Sequence, residues 1–153
     1  MATYQNQNQF KPTQLLGQQD LTVNNNIITC RIYASSVATV LTAGQAMKLV
    51  DQAGGVPVVD VAAITDLPFG VIVHNTRKDT YVAGDYVDVA AEGSYIYLET
   101  SAAIARDASV QNAVAGPLIA TQTSTNSTLG IAVDKATAAN QLIRIKIAPK
   151  LNA

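Results

Sequence analysis

The chain has 153 residues, 48% of them apolar, and its ten basic and eleven acidic side chains leave a net charge of −1 with a single histidine. A chain of this length buries roughly 68–70% of its unfolded surface as one domain, and its balanced charge offers no basic footprint for nucleic-acid phosphates. No apolar run approaches the roughly 18 residues of a membrane span, and a lone cysteine, Cys30, excludes an intrachain disulfide and a thiolate metal cage.

Residues 1–26 hold most of the compositional bias. "QNQNQ", "TQLLGQQD" and "VNNN" set Gln and Asn between the sparse apolar anchors Tyr4, Phe10, Leu15 and Leu16. Such a stretch cannot close a core of its own, so the expected division is an extended polar arm over 1–26 and a β domain over 27–153. Within an assembly, the arm would order on a neighbouring subunit through its amides and few anchors. The start "MATYQNQNQF" lacks a basic region followed by an apolar stretch, so no signal peptide is expected.

From residue 27 the pattern is that of short strands. "NIITCRIYASS" alternates, with Ile28, Cys30 and Ile32 on one side and Thr29, Arg31 and Tyr33 on the other. "VPVVDVAAI", "FGVIVHN", "GSYIYLET" and "LGIAV" are further strands bounded by Gly, Pro, Asn and Asp. Three more open alike: "AGQAMKL" (43–49), "AGDYVDV" (83–89) and "ANQLIRI" (139–145). In each, Gly44, Gly84 or Asn140 takes a turn position that tolerates positive φ. The alternation that follows puts Met47 and Leu49, Val87 and Val89, or Ile143, Ile145 and Ile147 on one face. Lys48, Asp88, or Arg144 and Lys146 lie on the other. A one-residue slip would bury these charges, so the register is well specified. "FGVIV" and "LGIAV" each precede one of these units by about ten residues and should pair with it as a hairpin. Local reuse of a good turn accounts for the echoes without an internal duplication. Helical turns are expected only at "SAAIARDA" (101–108) and "AITDLP". The fold class is all-β, a small barrel or sandwich of short antiparallel strands.

Candidate chemistry is sparse. His74, at a strand end in "VIVHNTRKD", lies in no nucleophile motif. The carboxylates are scattered singly beside turns, and Asp85 and Asp88 should face opposite ways, so no acid–base pair is evident. No phosphate loop, zinc spacing or calcium loop occurs; catalytic, cofactor and metal residues are all expected to be none. "NST" at Asn126 matches a glycosylation sequon but reads more simply as polar loop. Tyr81, Tyr86, Tyr95 and Tyr97 could form a sugar-stacking ladder, though tyrosine is also an ordinary strand former.

Residues 40–149 resemble the structural cement, or capsid decoration, proteins of tailed bacteriophages. The resemblance is carried, in order, by Gly44–Val50, Phe69–Val73, the "AGD" turn with Ala83–Val89, Gly93–Leu98 and the closing "GIAVDKA" segment within Gly130–Ile147. It implies a non-enzymatic β protein on the outer surface of an icosahedral head, made in the host bacterial cytoplasm and bridging subunits of the major capsid protein. It also implies contact with neighbouring cement subunits, as a homotrimer in preference to a dimer, with no cofactor, nucleic acid or membrane. The contact residues expected from exposure are Tyr4, Phe10, Leu15 and Leu16 in the arm and Arg77 and Lys78 in a polar loop. A receptor- or glycan-binding β module of a phage fibre or head appendage is the alternative.

Overall fold

The computed structural model describes residues 15–37, 40–113, 117–123 and 125–151. Among them, twelve strands build two closed five-stranded barrels and one short ribbon. The first barrel uses β1 (Ile27–Ile32), β3 (Ala46–Asp51), β4 (Val58–Val61), β5 (Gly70–Ile72) and β7 (Tyr86–Ala91). The second uses β8 (Tyr95–Thr100), β9 (Ser109–Asn112), β10 (Leu118–Thr121), β11 (Thr128–Ala132) and β12 (Leu142–Lys150). The ribbon is β2 (Leu41–Thr42) against β6 (Thr80–Tyr81).

Around the first barrel the order is β1-β4-β3-β5-β7, and around the second it is β8-β10-β9-β11-β12. The two orders coincide strand for strand. β1–β4 and β8–β10 are the parallel pairs, and every other contact is antiparallel. The registers coincide as well. Gly70 faces Met47 and Ala91, as Gly130 faces Val110 and Ile147. Cys30 pairs with Val87 as Leu98 pairs with Ile143, and Ile32 pairs with Val59 as Thr100 pairs with Ile119.

The turns obey the same rule. Gly84 N donates to Ile32 O at 3.0 Å, and Asn140 N to Thr100 O at 2.7 Å. Gly44 N and Asp107 N each donate to the strand beside them, to Ile72 O and Ala132 O, both at 2.8 Å. All four residues hold positive φ, between 61° and 87°. The β2–β6 pair Leu41/Tyr81 reappears as the isolated bridge Ile104/Ala136. The chain is therefore an architectural duplication, which corrects the expectation that local reuse explained the echoes. At the equivalent strand positions only Ile28/Ile96 and Gly70/Gly130 keep the same residue. What persists is the polarity pattern and the turn geometry, which are what backbone pairing requires.

Each barrel fills its interior from inward-facing strand positions. The first encloses Cys30, Ile32, Met47, Val59, Ile72, Val87 and Val89. The corresponding positions of the second supply Leu98, Val110, Ile119, Ala132, Ile143 and Ile145. The alternation read over β1, β7 and β12 holds. Over β3 it fails at Leu49, which a bulge before Asp51 leaves exposed. Residues 101–108 form no helix, because Ile104 is drawn fully into the second barrel to make its bridge. Residues 63–68 form a turn closed by Asp66 N to Ala63 O at 3.1 Å, not a helical segment.

The barrels share one apolar body. Ala46, Val71 and Ala90 point out of the first barrel yet are buried and cluster with the core of the second. Polar bonds fix this contact: Asn112 Nδ2 donates to Ala62 O at 3.0 Å, and Ser127 donates from N to Ile64 O at 2.9 Å and from Oγ to Thr65 O at 3.1 Å.

Candidate capsid-contact surface

The described part of the N-terminal segment is bound to its own chain. Along β8, β10 covers only the far end, at Glu99 and Thr100, and residues 17–20 occupy the rest of that edge. Gly17 N donates to Tyr97 O, Tyr97 N to Gln18 O, and Asp20 N to Tyr95 O, at 2.8–2.9 Å. Gly17 O also accepts from His74 N of the first barrel at 2.8 Å, so the segment straps the two barrels together. Leu16 packs on the shared core above Gly44, where a Cβ would meet the Leu16 side chain at 2.6 Å.

An ion network closes the strap. Arg144 reaches Asp134 at 2.8 Å and Asp20 at 3.3 Å. The Thr22 hydroxyl, 2.6 Å away, is the main group holding the Asp20 carboxyl below its ordinary pKa, and the Thr22 amide and Arg144 act in the same direction. Arg144 is likewise the main reason that the Asp134 carboxyl is held low.

Of the residues expected to make contacts, Leu16 is thus committed to its own core, whereas Leu15 is exposed. Tyr4 and Phe10 lie outside the described residues. Arg77 is exposed in the loop after β5. Lys78 pairs with Asp85 at 2.8 Å and lies 5.1 Å from the centre of the Tyr81 ring. The structure does not bring Leu15 and these loop cations together through any contact between them.

The residues weighed for chemistry have structural partners. Asp66 binds Lys48 at 2.9 Å, Asp88 accepts from the Thr29 hydroxyl and Asp60 from the Ser36 hydroxyl. Among the described residues no three His, Cys, Asp or Glu side chains gather where a metal could sit. Burial pushes the Cys30 thiol up to about 11, so it stays protonated. Asn126 spends its amide on Gln111 and Thr123. The tyrosine ladder does not form: Tyr81 is buried, Tyr86 is exposed, and Tyr95 and Tyr97 are half-buried. No helix among the described residues is long and apolar enough to cross a membrane.

Sequence reading missed a group of exposed apolar residues at one end of the first barrel. Tyr33 follows β1, Val37 and Val40 lie between β1 and β2, Val82 follows β6, and Tyr86 opens β7. Pairing holds four of the five in one region: Leu41 pairs with Tyr81, bringing Val40 and Val82 side by side, and Arg31 beside Tyr33 pairs with Tyr86. Val37 is 96% exposed and Tyr86 62%. The equivalent positions of the second barrel are Ser101, Ala103 and Thr137 in place of Tyr33, Val40 and Val82. Tyr86 is answered by Leu142, which is half-buried, so exposed apolar character is concentrated at one end of the duplicated fold. Isolated exposed valines carry no signal in a sequence, and only the barrel closure gathers them.

A tandem barrel with a group of exposed apolar residues at one end is suited to lasting contact with other protein. The family of XM1 gp53 minor capsid proteins matches residues 4–147. The chain belongs to this family, and it is a phage structural protein associated with the capsid in the virion. Its fold is shared with the head fiber gp8.5 N base of bacteriophage phi29, at a TM-score of 0.54 and 18% identity over 85% of this chain and 100% of that one. No curated protein matches the chain.

Proposed function

We propose that the protein is a capsid cement, or decoration, protein that binds the outer surface of an icosahedral phage head and bridges major capsid protein subunits. The observation that carries this reading is the group of exposed apolar residues at one end of the first barrel, Tyr33, Val40, Val82 and Tyr86, in a member of a minor capsid family. A ligand that binds only the assembled shell lowers its free energy by mass action, and contacts to two subunits multiply the effect. Residues 1–14, with Tyr4 and Phe10, would reach a neighbouring capsid or cement subunit, starting from the strap anchored at Leu16.

The test adds purified protein to heads that lack it and measures occupancy by electron microscopy and the temperature at which the heads rupture. Saturating protein should decorate the heads and raise that temperature. Val82→Asp combined with Tyr86→Ala should weaken binding roughly tenfold or more, as loss of central apolar anchors does. Deleting residues 2–14 should also weaken binding while leaving both barrels folded. Heads that stay bare or rupture unchanged would sink the cement reading, and undiminished binding of the deletion would remove the arm from it.

The fold shared with a head-fibre base favours a second reading, a receptor- or glycan-binding module of a head appendage. Binding to host cells or glycans by the free protein, with no effect on head rupture, would select it.

A further inference from the structure

The duplication makes the contact between the two barrels a template. In the first barrel Ala46, Val71 and Ala90 form an outward face that the second barrel covers. Their register equivalents in the second barrel are Ser109, Ile131 and Lys146, and these are exposed. The uncovered face carries a groove of about 440 Å³ lined by Glu92, Ser109, Gln122, Ile131, Pro149 and Lys150 among others. Gln122 is the counterpart of Ala62: each donates its backbone N–H to the strand beside it, to Ser109 O and Ala46 O respectively.

The covering surface is duplicated too. The second barrel meets the first through the end of β9 and the start of β11, where Asn112 and Ser127 make their bonds. The equivalent positions on the first barrel are Leu49 and Leu67, 45% and 50% exposed, with Val50 beside them at 42%. Leu49 and Val50 lie on β3, and Leu67 leads into β5, which pairs with β3 at Met47 and Gly70, so the three exposed apolar residues stand on neighbouring strands. Asp51 follows Val50 on this side, while the groove carries Lys150 with Glu92 and has Lys146 next to Ile131 across the ladder, so an acidic group on one surface meets a mixed but net basic one on the other.

We infer that a second copy of this chain docks head to tail, the Leu49, Val50 and Leu67 edge of its first barrel seating on the Ile131 face of the second barrel as the barrels already do within one chain. The contact is heterologous, so it propagates around a ring or along a row and does not pair two identical patches. Its test is independent of head binding because association is read on the free protein.

The experiment follows association of the full chain by analytical ultracentrifugation over a dilution series, with Ile131→Glu blocking the groove and Leu67→Glu blocking the edge. Both side chains are exposed, and circular dichroism checks that each variant is folded; if either is not, Ile131→Ser and Leu67→Ser replace them with the same expectations. Wild-type protein should associate with rising concentration, and each variant alone should shift to monomer. Mixed in equal amounts, the two variants should form a heterodimer, because each retains the face the other lacks. A wild-type chain that stays monomeric, association unmoved by both substitutions, or a mixture that stays monomeric would each overturn the inference.

Discussion

Gly70 and Gly130 occupy the tightest points of their barrels. A Cβ on Gly70 would run into the carbonyl oxygen of Ala90, and one on Gly130 into that of Lys146, both on the strand paired alongside. Neither φ is positive, so the requirement is close approach of backbone rather than a left-handed turn. Gly84 differs: a Cβ there meets nothing within 4 Å, but its φ is 86°. Gly70→Ala and Gly130→Ala should each cost about 1–3 kcal/mol or more, since a barrel strand has to move, whereas Gly84→Ala should cost about 1–2 kcal/mol of backbone strain. Denaturant melts of the three variants check the order. The "FGV" and "LGI" glycines were visible in the sequence as an echo. Their role was not, because the atom that excludes a side chain belongs to a strand some 16–20 positions away.

Among elements, the strap over residues 15–20 depends on the Asp20 and Arg144 contacts. The Asp20 and Asp134 carboxyls are depressed in the folded chain, so their contribution is complete above the ordinary carboxylate pKa of about 4 and is lost as pH falls through their lower folded values. Hydrogen exchange at Gly17, Asp20 and Tyr97 should therefore accelerate as the pH drops below about 4, relative to intrinsic rates. In Asp20→Asn the same amides should exchange faster already at neutral pH, with a weaker dependence on acid. Equal protection in wild type and variant would remove Asp20 from the role. Composition alone suggested an extended polar arm over 1–26, and residues 17–20 of it run along the edge of β8. Polar residues can equally hydrogen-bond along a strand edge, and that edge exists only once β8 and β10 diverge.

For the whole molecule, the two barrels differ most at the face where they meet. Ala90 and Lys146 are register equivalents, one buried under the neighbouring barrel and the other exposed with its ammonium 5.9 Å from the Tyr95 ring centre. Ala90→Lys would bury an unpaired charge and should lower stability by several kcal/mol, splitting or shifting the calorimetric transition. Lys146→Ala should change it by about 0.5 kcal/mol or less. Similar effects of the two would contradict the assigned interface. The sequence by itself determined the strand class, the inward positions of β1, β7 and β12 and the turn residues before β3, β7 and β12, because these follow from period-2 alternation and local φ preference. It hid β9 and β10, whose "SVQN" and "LIAT" carry no alternation, and the duplication, in which Asp107 stands where Gly44 does and almost no side chain is shared. Tertiary structure alone decided which outward residues are covered, which apolar groups gather at one end, and where the N-terminal strap lies, because closing a barrel sets side by side residues that the chain keeps tens of positions apart.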